Sequence, residues 1–168
     1  MKNKLGFLLI ILSIILIISK YKKDNINTIY QNKIISNIYD NHNIYKEYKG
    51  YIKIPKYNIK KVIKKGTSDK ILDQNYVGIM NINKPNLIIL AGHNTNSVFK
   101  KIHYMKKNDL IELYLEEKEI YIVEETKEIR IDDYKILNDS YNTKTLILIT
   151  CTNNRNKRFI VIAKKYQL

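Results

Sequence analysis

Cys151 is the only cysteine among 168 residues, and it closes the run LILITC where strand-forming residues give way to the polar TNN. A cysteine is nucleophilic as its thiolate, and only a few per cent of an ordinary thiol is ionised near neutrality. A nucleophile in that position needs a proton-handling partner and a cation or donor for the oxyanion. Two other strand ends offer them. His93 sits in AGHN directly after LIIL, and an imidazole can protonate a leaving amine near neutral pH. Arg158 opens the run RFIVIAKK and carries a charge that never competes for the proton.

Each of the three has a plainer reading when taken singly. The thiol can be a buried, inert filler, the imidazole a solvated loop residue and the guanidinium a surface charge. Their coincidence at strand ends weighs more, because together they supply a nucleophile, a proton-handling group and a cation for the oxyanion. Papain-like order is excluded, because there the Cys precedes the His and opens a helix. The GDCGG-type loop of chymotrypsin-like cysteine proteases is absent. One Cys and three His, with His42 and His103 in segments unrelated to His93, do not make a zinc set. No metal and no cofactor is expected, and no acidic cluster marks a calcium site.

The elements that must hold these residues are strands. From Gly50 on, apolar residues come in short Ile-, Val- and Tyr-rich runs: GYIKIP, IKKVIKKG, YVGIM, NLIILAG, DLIELYL, EIYIV with KEIRI, TLILITC and RFIVIAKK. Two segments read as helical. SDKILDQN opens with Ser68 as N-cap, and SVFKKIHYM places Val98, Ile102 and Met105 on one face. About eight strands with one or two short helices predict a mainly β, closed or nearly closed barrel over residues 50–168.

Ahead of the strands lies the uncharged run LGFLLIILSIILIIS, Leu5 to Ser19, bracketed by Lys2 and Lys4 and by Lys20, Lys22 and Lys23. No small-x-small cleavage site follows it, and flanking Lys with Tyr21 extends its effective span. Residues 1–23 therefore read as an uncleaved transmembrane signal anchor with the domain outside the cell, in preference to a cleaved signal peptide and to a buried core helix. Residues 24–49, Asn-rich with irregularly spaced Ile, read as a polar stalk or lead-in helix.

The formal net charge is +14, and part of it is compositional background in a chain skewed toward Ile, Lys, Asn and Tyr. Such a surface attracts anionic lipid or wall polymer; nucleic acid is not expected, since the Lys are scattered rather than interleaved with aromatics. Where nearly every basic position is Lys, the three that are Arg, namely Arg130, Arg155 and Arg158, are candidates for a needed guanidinium.

From Gly50 to Lys165 the chain resembles the sortase family, the membrane-anchored cysteine transpeptidases of Gram-positive bacteria. GYIKIP is similar to the family's first strand, LIILAGH to its histidine loop and SVFKKIHYMKKNDLIEL to the segment that follows. LILITC corresponds to its T-L-x-T-C, keeping Leu148, Thr150 and Cys151 and replacing the leading Thr with Ile147. Arg158 falls where the family arginine opens the last strand.

The resemblance implies a sortase-like barrel in which Cys151 attacks the Thr carbonyl of an LPXTG-like sorting signal. His93 then acts as acid and base, and Arg158 orients the signal and stabilises the oxyanion. The implied partners are surface proteins with a C-terminal sorting signal, an amine from a peptidoglycan precursor or a pilin, and the membrane. The short connection before Leu146 disfavours class B, and the lack of a DPW-type lid or a second apolar segment disfavours the pilus-polymerising class. A class D-like or an unassigned clostridial-type housekeeping or specialised member is the expectation. Two other readings stand: a non-enzymatic basic barrel on anionic wall polymer with Cys151 buried, and a plain cysteine peptidase.

Overall fold

The computed structural model describes residues 2–41, 48–80, 83–133 and 135–166. Eight strands form a closed barrel: β1 (Tyr48–Ile54), β2 (Ile59–Lys65), β3 (Val77–Ile79), β4 (Leu87–Ala91), β5 (Leu110–Tyr114), β6 (Lys118–Arg130), β7 (Thr145–Cys151) and β8 (Lys157–Lys165). Their order around the barrel is β1-β2-β3-β4-β7-β8-β6-β5, with β5 pairing back to β1. At that seam Gly50, at φ +141°, lies so near β5 that a Cβ would fall 1.8 Å from the Tyr114 carbonyl oxygen. Only glycine allows the closure there.

Two of the neighbouring pairs are parallel, β2–β3 and β4–β7. The second matters most. Leu87 to Ala91 run beside Thr145 to Ile149 in one direction, so both strands end at the same rim. β8 is antiparallel to β7 and starts at that rim, with Arg158 opposite Cys151.

β7 reads as an unbroken apolar run because both of its faces are covered. Leu146 and Leu148 point into the main core with Ile52, Leu90, Phe99 and Val161. Ile147 packs outward with Leu87, Ile89, Ile160 and Ile136, the last from the single turn α3 (Lys135–Asn138).

The expected helices are shorter than their patterns suggest. α2 (Asp69–Leu72) is one turn, and Ser68 stands at its N-cap with no hydroxyl capping bond. Val98, Ile102 and Met105 are all buried as expected, but the segment forms only a 3-10 helix, Lys100–Tyr104. With a further 3-10 turn at Pro55–Tyr57, the short helical segments among the described residues number four rather than one or two.

α1 runs without a break over Lys2–Asn41, and the division at Lys23 falls inside it. Among the described residues no helix is long and apolar enough to cross a membrane. The two halves of α1 differ in their surroundings. Phe7 to Ile18 present exposed apolar side chains. Ile34, Ile35 and Ile38 are buried against Tyr48, Tyr51, Val62 and Tyr76 of the barrel. Between these, Gln31 is 2% exposed and uses both ends of its amide: Nε2 donates to the Asn75 carbonyl at 3.0 Å, and Oε1 accepts from the Val62 N–H at 3.2 Å. The segment expected to be a polar stalk or lead-in helix is helical as far as Asn41 and docks on the barrel over part of its length.

Candidate functional site

The three residues singled out by type converge at one rim through strand register. His93 and Cys151 each stand two residues beyond the parallel pair Ala91–Ile149, and Arg158 faces Cys151 across the β7–β8 ladder. Two bonds carry the pairing past the strand ends. The Gly92 N–H donates to the Ile149 carbonyl at 3.0 Å, and the buried Thr150 hydroxyl donates to the Gly92 carbonyl at 2.8 Å. Thr150 thus clamps the histidine loop to the nucleophile strand. Gly92 lets that loop lie on the core, since a Cβ there would come within 2.6 Å of the Phe99 ring.

Cys151 is exposed. That overturns the buried thiol required by the non-enzymatic reading. The His93 ring is half-buried, and its Nε2 lies 2.9 Å from Asp73 Oδ1. A carboxylate can only accept, so Nε2 carries the hydrogen and Nδ1 is left for proton transfer. Arg158 is half-buried, and its Nη1 donates to the carbonyls of Arg155 and Lys157 at 3.2 and 3.0 Å. The guanidinium is thereby folded onto the connection between β7 and β8. Arg130, by contrast, spends its planar fork on Asp132, with two bonds of 2.9 Å at an exposed position.

Two groups near the rim escaped the sequence. By sequence His103 lies in a segment unrelated to His93. In the fold its Nε2 is 3.3 Å from the Cys151 carbonyl oxygen, and its ring stacks on Phe159 at 4.4 Å. A carbonyl accepts only, so His103 is the donor. Asp73, the partner of His93, lies 20 residues before it on the turn after α2, and nothing in the local sequence marks it. His42 lies outside the described residues. Beside the site a cavity of about 410 Å³ is lined by Asn94, His103, Tyr104, Thr152 and Asn154 among others. The buried Oδ1 of Asn94 has no hydrogen-bond partner. Among the described residues no group of three His, Cys, Asp or Glu could hold a metal ion.

A family model for the sortase domain matches residues 52–166. Several solved structures are similar. Sortase C1 from Streptococcus agalactiae is 27% identical at a TM-score of 0.67, over 73% of this chain and 69% of that one. Sortase C from Clostridium perfringens, solved with the C-terminal cell wall sorting motif, is 24% identical at 0.65, over 89% and 91%. A sortase D5 transpeptidase, also from Clostridium perfringens, is 22% identical at 0.67, over 82% and 98%. The class C and class D folds fit equally well, so backbone shape does not separate the subclasses. No curated protein matches the chain significantly.

Proposed function

We propose, from the premise that this chain belongs to the sortase family, that it is a cysteine transpeptidase acting on an LPXTG-like sorting signal, with Cys151, His93 and Arg158 as its catalytic residues. The observation that carries the reading is the parallel β4–β7 pair, which ends His93 and an exposed Cys151 at one rim with Arg158 opposite.

The Cys151 thiolate attacks the Thr carbonyl carbon, forming a C–S bond. Negative charge gathers on the carbonyl oxygen, where the Arg158 guanidinium, turned out from its loop carbonyls, donates to it. The bond to Gly breaks, and the Gly amine leaves with a proton from His93. An incoming amine, from a peptidoglycan precursor or a pilin, then gives its proton to His93 and attacks the thioester. The C–N bond forms, the C–S bond breaks and the thiolate returns. No proton is left over after one cycle.

The same reading gives the exposed apolar run of α1 a task. Gly6 to Ser19 is exposed at every position and uncharged, and a lipid bilayer removes such a surface from water at about 25 cal/mol per Å². Residues 1–23 are proposed as a membrane anchor, 24–49 as its connection and 50–168 as a catalytic domain on the outer cell surface. Surface proteins with a C-terminal sorting signal are the proposed donors.

The experiment is mass spectrometry of the protein mixed with an LPXTG-like peptide, with and without an amine. The native chain is expected to gain the mass of the acyl fragment and pass it to the amine, whereas Cys151→Ala gains nothing. Residual turnover by Cys151→Ala overturns the assignment, and hydrolysis without transfer at saturating amine favours the plain peptidase.

A further inference from the structure

Asp73 reaches His93 from a turn that the barrel does not hold by itself. The turn joins α2 to β3, and its flanks lie on the helix: Tyr76 is buried in the cluster made by Ile34, Ile35 and Ile38, with Ile71 packed at its edge. Asn75 sits between them at φ 62°, the left-handed region, two residues after Asp73. Its carbonyl accepts from Gln31 Nε2 at 3.0 Å, and its side-chain Nδ2 donates to Asp24 Oδ1 at 3.2 Å. Gln31 is also fixed from the other side by the Val62 N–H of β2. A continuous path of bonds thus leads from α1 through Asn75 to the turn carrying Asp73, and from Asp73 to the His93 ring.

We propose that the docked half of α1, Asp24 to Ile38, is a positioning element of the site, holding through Gln31 and Asp24 the turn from which Asp73 orients His93. The proposal rests on the reading of His93 as the working imidazole. Asp73 is 70% exposed at its side chain, so the contact is partly screened and its value lies in orientation. With Nε2–H held by Asp73, the ring keeps one tautomer and turns Nδ1 toward the proton it must move. Because the docked half continues into the exposed apolar half as one helix, how deeply the chain sits in a bilayer bears directly on the geometry of the site.

The test uses the full chain in detergent micelles, with kcat and KM for an LPXTG-like peptide and ¹⁵N shifts of the His93 ring. Asp73→Ala is expected to lower kcat about fivefold at unchanged KM, the scale of a partly solvated ion pair. Gln31→Leu keeps the helix docked but removes both amide bonds, and lowers kcat about threefold by the same route. The double variant is then no slower than Asp73→Ala alone, because both act through one contact. The His93 ring shifts move from a single Nε2–H tautomer to a mixture in both single variants. Asp24→Ala, at a half-exposed position, gives the same direction of change if Gln31→Leu does not fold.

Wild-type kcat in both Gln31→Leu and Asp24→Ala overturns the proposal, as do losses that multiply in the double variant. His93→Ala separates the two levels. If it retains turnover, the reading of the site has failed. If it is inactive while Asp73→Ala runs at the wild-type rate, only the positioning role has failed.

Discussion

Glu119→Gln isolates the charge buried at the end of the barrel away from Cys151. Glu119 is 6% exposed. Its Oε1 accepts from Lys144 Nζ at 2.5 Å and Lys165 Nζ at 2.7 Å, and its Oε2 from the Tyr121 hydroxyl at 2.7 Å. Burial alone pushes this carboxyl up, but the two ammonium groups and the phenol outweigh it and hold it at about 2 against an ordinary 4.5. At about 1.4 kcal/mol per unit, that depression corresponds to about 3 kcal/mol of stability.

The folded value lies below the unfolded one. The stabilisation is therefore complete above pH 4.5 and lost as pH falls toward 2. The assay is urea unfolding of both proteins at fixed ionic strength, near pH 7 and in steps down to about pH 3. At neutral pH the Gln variant is expected to be less stable by about 3 kcal/mol, a midpoint shift of roughly 1 to 2 M. The gap narrows toward pH 3, because below 4.5 the unfolded chain takes up its proton while native Glu119, held at about 2, still keeps its charge. Turnover of the folded variant near pH 7 should match the wild type. A gap of the same size near pH 7 and pH 3 would refute the reasoning, because the loss would then be one of shape and not of charge.

The other predictions concern the rim. Arg158→Lys keeps the charge but loses the planar fork, and should cost roughly 100-fold to 1000-fold in turnover, whereas Arg130→Lys and Arg155→Lys change it by less than about threefold. Circular dichroism of the three confirms that each folds, and equal small effects would remove Arg158 from the mechanism. Thr150→Val leaves the Gly92 carbonyl without its donor and should lower stability by about 1 to 3 kcal/mol in urea unfolding, with kcat falling at unchanged KM. An unchanged kcat there would mean that the histidine loop needs no clamp. His103→Ala loses a stack and a donor and should destabilise by about 1 to 2 kcal/mol. His103→Gln keeps a donor and should recover part of it, and no difference between the two would show that the bond to the Cys151 carbonyl contributes nothing.

The strands were legible because burial on both faces leaves an unmistakable mark. Ile147 and Leu148 point to opposite sides of β7, yet both must be apolar, since α3 and the outer cluster cover the face that water would otherwise wet. Cys151, His93 and Arg158 were legible because each follows or opens such a run. Asp73 and His103 were not, because their contacts arise where separate loops meet at the rim, and no local periodicity encodes that meeting. The docking of α1 has a faint mark in the sequence. Gln31, Ile34, Ile35 and Ile38 fall at i, i+3, i+4 and i+7, one stripe of a helix, but the polar Gln at its head disguises the stripe. The scarcity of arginine does not by itself single out a catalytic one: Arg130 turns its fork to Asp132 in an exposed pair.

The parallel pairing of β4 with β7 also bears on when the chain can become reactive. The Thr150–Gly92 bond spans 58 residues of sequence, and between β4 and β7 the chain must lay down β5, β6 and α3. Contacts of such separation close late, since their loop entropy is offset only after the intervening structure has formed. A chain in which β4 and its loop are made but β7 is not yet paired lacks the register that brings Cys151 and His93 to one rim. On the proposed mechanism, acyl transfer by Cys151 would then wait on the β4–β7 pairing, and an incomplete chain would leave a passing peptide untouched.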